Sequence, residues 1–329
     1  MVLITALIRE LHAIWRRPVD IVTSGPWSEP LLHGQPGVGD IIAVRSRKTP
    51  YWLAADQRRA VRRLRLRGPG PAWFCDANDA ARPLLARAGF TDRHVVDVKD
   101  YPLRAGEHAT QQWTRLAQIT PPIWAHRPPP GSATGIAGCG LRADEAACAD
   151  LDAWAGARGF AGAPLILIQA GNKRTMRRGP KRLAVNHKYW PLSRWAEVIR
   201  YVRKDRPQHR LVLIGTGPEF GLNQELAALA NVDGLVNIAD DLPIPRLLAL
   251  LARASALITV DSGPAHAAAA VGCPQIVLFG TALPSLYRPW GSSGAPVLVL
   301  CGQMQGAASM LGIDTGAVIE AWTRLVPRP

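Results

Sequence analysis

The stretch 257–291, LITVDSGPAHAAAAVGCPQIVLFGTALPSLYRPWG, constrains the fold more than any other part of the chain. Ala256-Leu257-Ile258-Thr259-Val260 is a short run of apolar and β-branched residues, the pattern of a strand buried in a parallel sheet. The run stops at Asp261-Ser262-Gly263-Pro264. Ala265 to Ala270 then has strong helix propensity until Gly272, and Pro274 opens a second strand over 275–279. The result is a strand, a tight turn, a helix and a strand, with the polar residues gathered at the helix N-terminus.

The rest of the chain repeats this alternation. Helical apolar spacing covers 2–15, and strands are expected at 18–23, 39–44, 72–75 and 94–98, with helices at 28–32, 56–66, 79–88 and 107–118 between or after them. The stretch 119–137, ITPPIWAHRPPPGSATGIA, is rich in Pro and Gly and reads as a loop or crossover. A helix at 141–158 follows, then strands at 163–170, 210–214, 235–238 and 296–300 and helices at 193–204, 244–254 and 315–325. This predicts an α/β protein of two domains, residues 1–150 and 151–329, with the crossover near 119–140 and the boundary between 135 and 162.

With 329 residues, 48% hydrophobic and 19% charged, the chain can bury two cores. No apolar run reaches the roughly 18–20 residues needed to span a bilayer. The opening helix is broken by Arg9, Glu10 and His12 and has no small-residue cleavage site, so no signal peptide is read there. The five cysteines form no CxxC pair, which points to reduced thiols and a cytoplasmic location. The net charge of +14 calls for an acidic partner or a surface that tolerates it as a solvated basic face. Nucleic acid, an anionic membrane face and a phosphorylated glycolipid are the candidates. The charge is densest at Arg58, Arg59, Arg62, Arg63, Arg65 and Arg67, and again at Lys173, Arg174, Arg177, Arg178, Lys181 and Arg182. No nucleic-acid motif accompanies it, so nucleic acid is set aside.

The turn after the central strand has chemical consequences. The first N–H groups of a helix lack intrahelical partners, and the dipole attracts anions such as phosphate. Gly263 permits close approach of a ligand to the backbone, and Pro264 suits the first turn. Asp261 and Ser262 can cap the helix or bind ligand hydroxyls, and His266 lies one turn in. The bland alternative is a capped core helix with a packed histidine. Gly171-Asn172-Lys173 closes another strand at its C-terminal end, with Arg174 beside it, and Gly215-Thr216-Gly217-Pro218-Glu219 follows a third. Asp150-Leu151-Asp152 is formally a DxD metal motif but falls inside a helix, and no GxSxG nucleophile elbow occurs.

DSGPAH, AAAVGCP, LFG and RPWG, in this order, look like the C-terminal donor-binding half of the ADP-heptose:lipopolysaccharide heptosyltransferases of glycosyltransferase family 9. The resemblance implies the GT-B fold, two Rossmann-like domains facing across a cleft. It also implies inverting, metal-independent transfer of a heptose from ADP-heptose to a lipopolysaccharide core or related acceptor, with no cofactor. Lys188 in Lys188-Tyr189-Trp190-Pro191 resembles the family lysine that reaches the donor phosphates. Glu219 would contact ribose or sugar hydroxyls, Asp261, Ser262, Gly263 and His266 would hold the donor, and the loop at Leu242-Pro243-Ile244 would border the base. The terminal helix would return to the first domain. The partners implied are a nucleotide-sugar, a phosphorylated glycolipid and, peripherally, the anionic inner membrane. A different nucleotide-sugar, or a homologue that binds without transferring, remains open.

The sequence departs from the family in one respect. Heptosyltransferases open with a strand and a Gly-Asp turn that carries the proposed base, whereas this sequence starts at or inside the following helix. The first domain is therefore expected to lack its first strand, through a late start assignment or by nature. Gly37-Val38-Gly39-Asp40 mimics the turn but falls where the family has its third strand, which makes Asp40 a weak candidate for the catalytic base.

Overall fold

The computed structural model describes residues 2–326, apart from 47, 77–78, 128, 173–185 and 305. It divides into two units, Leu3–Ala137 and Gly138–Pro329. The division follows Ala137, so residues 138–150 belong to the second unit. The reason is visible in the packing of the helix they lead into, described below.

In the first unit the elements are α1 (Thr5–Trp15), β1 (Val19–Thr23), α2 (Ser28–Leu32), β2 (Val38–Ala43), α3 (Ala55–Arg67), β3 (Ala72–Phe74), α4 (Arg82–Arg87), β4 (Val95–Asp97) and α5 (Ala109–Ala117). The strands form two separate parallel pairs, β1 with β2 and β3 with β4. Among the described residues no further strand joins the pairs. Helix α1 supplies Leu7, Leu11 and Ile14 to a core that includes Val96 and Leu116, with Val19 and Trp73 packed against it. Glu10 sits on the same helix, fully buried, and accepts hydrogen bonds from the backbone N–H (2.6 Å) and the hydroxyl of Thr134. The backbone N–H of Gly131 bonds the carbonyl of Ile14 at 2.9 Å. The Pro/Gly-rich stretch is therefore laid along α1, and a buried carboxylate supported by hydrogen bonds holds it there.

The second unit begins with α6 (Glu145–Ala157), capped by Asp144, whose carboxylate accepts from Ala147 N–H at 2.7 Å. There follow β5 (Leu165–Gln169), α7 (Leu192–Asp205), β6 (Arg210–Leu213), α8 (Phe220–Ala230), β7 (Leu235–Asn237), α9 (Ile244–Arg253), β8 (Ala256–Val260), α10 (Gly263–Val271) and β9 (Gln275–Phe279). Short α11 (Pro284–Tyr287), β10 (Val297–Cys301) and α12 (Thr315–Leu325) complete the main frame. Three elements were not anticipated, α8, α11 and a small hairpin pairing Gln303–Met304 with Ala307–Ala308.

The six strands make one parallel sheet in the order β10-β9-β8-β5-β6-β7. Strands β5, β8 and β9 are buried at every position, which is why they read as unbroken apolar runs rather than alternating ones. Helix α7 buries Leu192, Trp195, Ala196, Val198, Ile199 and Val202 at helical spacing. The order of strands reverses between β5 and β8, so the crevice at their C-terminal ends is the topological switch point where such sheets bind ligands.

Two side-chain pairs explain the assignment of α6. Asp150 pairs with Arg246 at 2.7 Å, and Asp152 with Arg253 at 2.9 Å, so the formal DxD fastens α6 to α9. Trp154 donates its indole N–H to Asp241 at 2.6 Å. α12 packs within the second unit, where Val318 and Trp322 are fully buried and the Trp322 indole donates to Asp205 at 2.9 Å. Its apolar face is used there, in the same core as Trp190 and Trp195.

Candidate functional site

The site is assembled at the C-terminal ends of β5, β6 and β8. β8 ends at Val260, and the chain then turns through Asp261 into Ser262, whose extended backbone and side-chain oxygen cap α10 by accepting from Ala265 N–H. Gly272, at φ 88°, ends the helix in the left-handed conformation that only glycine adopts cheaply. Pro264 has no N–H, so the backbone N–H of Gly263 is the free donor at the mouth of the helix among the described residues.

The cap is itself held from across the switch point. Ser262 donates its hydroxyl proton to Oε1 of Gln169, at the end of β5, at 2.7 Å. The hydroxyl of Thr259, fully buried on β8, donates to the same oxygen at 2.9 Å. Gln169 was not singled out from the sequence. Its signal was available, since a glutamine closing the otherwise apolar strand Leu-Ile-Leu-Ile must have a partner in a fully buried position.

Lys188 arrives on the loop 186–190. Asn172 donates from Nδ2 to the carbonyl of Lys188 at 3.0 Å, and Asn186 accepts from its N–H at 3.2 Å. Trp190, 1% exposed, packs edge-on against Trp195 with ring centroids 5.0 Å apart and donates its indole N–H to the Ile313 carbonyl at 2.9 Å. A side chain at Gly280 would overlap the carbonyl of His187, so glycine there lets the loop press onto the end of β9. So anchored, Lys188 places Nζ 2.6 Å from Oδ2 of Asp261 and donates to the Asp261 carbonyl at 2.8 Å. Nε2 of His266 lies 3.8 Å from the other carboxylate oxygen of Asp261. Lys188, Asp261 and His266 therefore form one row across the helix mouth.

Glu219 approaches from β6. Its Oε2 accepts from the backbone N–H and the hydroxyl of Thr216, at 2.8 and 2.7 Å, in a capping box. The residue is 3% exposed, and its Oε1 has no hydrogen-bond partner among the described residues. A side chain at Gly171 would run into that oxygen, so Glu219 points at the backbone just beyond β5. A buried carboxylate oxygen without a donor is costly, and it marks a position built to receive one.

The structure thus brings Lys188, Asp261, Ser262, Gly263 and His266 together, with Glu219 at the neighbouring strand end. Lys173 and Arg174 lie outside the described residues, as does the rest of that basic cluster. Pro243 caps α9 at the loop expected near the base, and α9 packs on α10. Asp40 lies on β2 in the first unit, where it is bound by the guanidinium groups of Arg67 and Arg63, the latter at 2.6 Å. The hydrogen bond from Arg67 holds its carboxyl below the usual range, the opposite of what a general base near neutral pH requires.

Residues 172–309 match the sequence profile of Glycosyltransferase family 9 (heptosyltransferase). That match covers less than half of the chain. Among curated proteins, lipopolysaccharide heptosyltransferase 2 of Escherichia coli (strain K12) is 25% identical over 118 residues, 35% of this chain and 33% of that protein. The matched stretch thus spans about a third of the relative's length. The solved structure of E. coli ADP-heptose lps heptosyltransferase II covers 99% of this chain and 94% of its own at 20% identity, with a TM-score of 0.71. E. coli heptosyltransferase WaaC with ADP covers 99% and 95% at 18% identity, with a TM-score of 0.67. At these identities the structural likeness is one of fold. It covers the α/β fold of each unit, beyond the stretch matched by the family 9 profile.

Proposed function

We propose that this protein is a family 9 glycosyltransferase that binds an ADP-sugar through its second unit. In this reading the sugar is a heptose, transferred with inversion to a lipopolysaccharide core or related phosphorylated glycolipid. The observation that carries it is the row Lys188–Asp261 across the mouth of α10, with a buried Glu219 oxygen beside it at the switch point that has no partner among the described residues. The ADP and ADP-heptose named for the two E. coli structures support the choice of donor.

The chemistry follows from these groups. Breaking the sugar–phosphate bond leaves negative charge on a diphosphate. The Lys188 ammonium, the Gly263 N–H and the positive end of α10 are fixed donors aimed where that charge develops, and they need no reorganisation as it forms. Asp261 holds Lys188 in place by two contacts while leaving the ammonium a third proton. Oε1 of Glu219 can accept from a ribose or sugar hydroxyl. Positive charge comes from the protein in this scheme, so the reaction is metal-independent and takes place on the cytoplasmic side, where nucleotide-sugars are made.

The test is a thermal-shift titration with ADP, GDP and UDP, first without metal and then with magnesium. A ligand held only by the folded protein adds about 2.7 kcal/mol of stability at a hundred times its dissociation constant. The expected result is a shift selective for ADP, unchanged by magnesium and lost in Asp261→Ala. A shift selective for GDP or UDP would overturn the ADP-sugar assignment, and no shift with any of them would overturn the donor site.

A further inference from the structure

The first unit carries a surface that the donor site does not use. Residues 41–75 contain nine arginines and lysines against one carboxylate, Asp56, a surplus of eight out of the chain's net +14. That carboxylate is not available to offset them. It accepts from the backbone N–H groups of Arg45 (2.7 Å), Ser46 (3.0 Å) and Gln57 (2.9 Å) and from the Ser46 hydroxyl, and so joins the loop before α3 to the start of the helix. Arg63 and Arg67 are engaged by Asp40 and Asp20. Arg45, Lys48, Arg59 and Arg62 are exposed and pair with nothing among the described residues.

Three large apolar side chains stand out of this cationic surface. Trp52 is 72% exposed, Leu53 58% and Leu66 83%. Trp52 and Leu53 are not a loose tip. Gln57 donates from Nε2 to the carbonyls of Ser46 (2.7 Å) and Thr49 (2.9 Å), the guanidinium of Arg58 bonds the Trp52 carbonyl, and Arg87 stacks on the Tyr51 ring at 4.7 Å. Ala54, the next residue, is buried. The turn is therefore fastened at its base and presents an indole and a leucyl group to the outside. Arg59, Arg62 and Leu66 share one face of α3, a turn apart from each other, and prolong the same mixture.

We infer that the turn at Trp52–Leu53 and the outer face of α3 form a docking surface for an anionic phospholipid bilayer. Cations with no protein counterion fit an anionic headgroup layer, and their charge is long enough to reach it over an apolar stem. A rigidly presented tryptophan with leucines fits the zone just beneath the headgroups, where an amphipathic ring is stable. Nucleic acid would use the cations but gives Leu53 and Leu66 nothing to bury against. The inference extends the reading of a membrane-borne acceptor, yet it stands on the surface alone. The donor titration and a vesicle assay can therefore fail separately.

The experiment is flotation of the full chain with vesicles of phosphatidylcholine alone and of an equal mixture of phosphatidylcholine and phosphatidylglycerol. The expected result is binding to the anionic vesicles only, weakened about tenfold or more in R59E/R62E. The double variant W52S/L53S, which alters exposed groups and should melt like the parent, is expected to lose binding several-fold while still moving towards the vesicles at low salt. Competition with a short duplex DNA is expected to leave vesicle binding unchanged. Equal binding to both vesicle types, no loss in W52S/L53S, or displacement by the DNA would each overturn the proposal.

Discussion

Lys188 and Asp261, 73 positions apart, meet twice, through the carboxylate at 2.6 Å and through the main-chain carbonyl at 2.8 Å. The second contact matters as much as the first. A carbonyl cannot swing away, so the ammonium is positioned by the backbone at the end of β8 and only then neutralised by the side chain.

Replacing Lys188 by Met keeps most of the side-chain length and removes the charge. Asp261 is then left with little compensation at a position 7% exposed. Since the lysine side chain is itself a third exposed, the stability loss should be modest, about 1–2 kcal/mol in a denaturant titration. The affinity for ADP should fall at least tenfold, about 1.4 kcal/mol, read by calorimetry. Undiminished ADP binding would remove Lys188 from the site.

Glu219 and Gly171 form a pair whose two substitutions should give different signatures. Glu219→Gln keeps an oxygen for the Thr216 box but turns an amide towards Gly171. It should weaken ADP binding while leaving inorganic pyrophosphate binding unchanged, because only the nucleoside part needs the acceptor. Gly171→Ala places a methyl against the carboxylate and should cost about 1–3 kcal/mol of stability as well as ADP affinity. If Glu219→Gln weakened both ligands equally, the carboxylate would be structural.

Gln169→Leu removes the acceptor shared by Ser262 and Thr259. Thr259 can still bond the Val260 carbonyl at 3.1 Å, so the cost to stability should stay near the lower end of about 1–3 kcal/mol for such losses. The hydroxyl of Ser262 is then free to turn. The prediction is a weaker ADP shift with the Asp261→Ala effect intact, checked by the same melting assay in the double variant.

Acid should loosen the turn before α3. The Ser46 hydroxyl and three backbone N–H groups hold the Asp56 carboxyl down to about 2. Its folded value is depressed, so its contribution is complete above the unfolded value of about 3.9 and is lost as the pH falls from there to the folded value. Allowing for solvent screening, this amounts to about 1 kcal/mol. Melting curves between those limits should show a smaller acid loss in Asp56→Asn than in the parent. Equal losses in the two would mean the carboxylate contributes no acid-sensitive stability.

Much of the frame was set by local pattern. Buried parallel strands must be apolar on both faces, so β5, β8 and β9 announced themselves, and the Ala-rich run between Pro264 and Gly272 could only be a helix with its polar entry at Asp261-Ser262-Gly263. That placed the anion-receptive end of α10 and the residues around it without any coordinates. What the sequence could not decide was which distant side chains would meet there. The strand order brings β5 beside β8, and so Gln169 to Ser262, 93 residues away. It also brings Glu219 against Gly171, and the Trp190 anchor brings Lys188 to Asp261. The same limit holds for Asp40 and for the formal DxD at Asp150-Leu151-Asp152, both already weak candidates from their place in the sequence, whose partners Arg63, Arg67, Arg246 and Arg253 are seen only in the fold. Local composition fixes backbone conformation through steric and burial preferences that act within a few residues. A charge or hydrogen-bond partner is chosen by proximity in space, and that exists only once the sheet has formed.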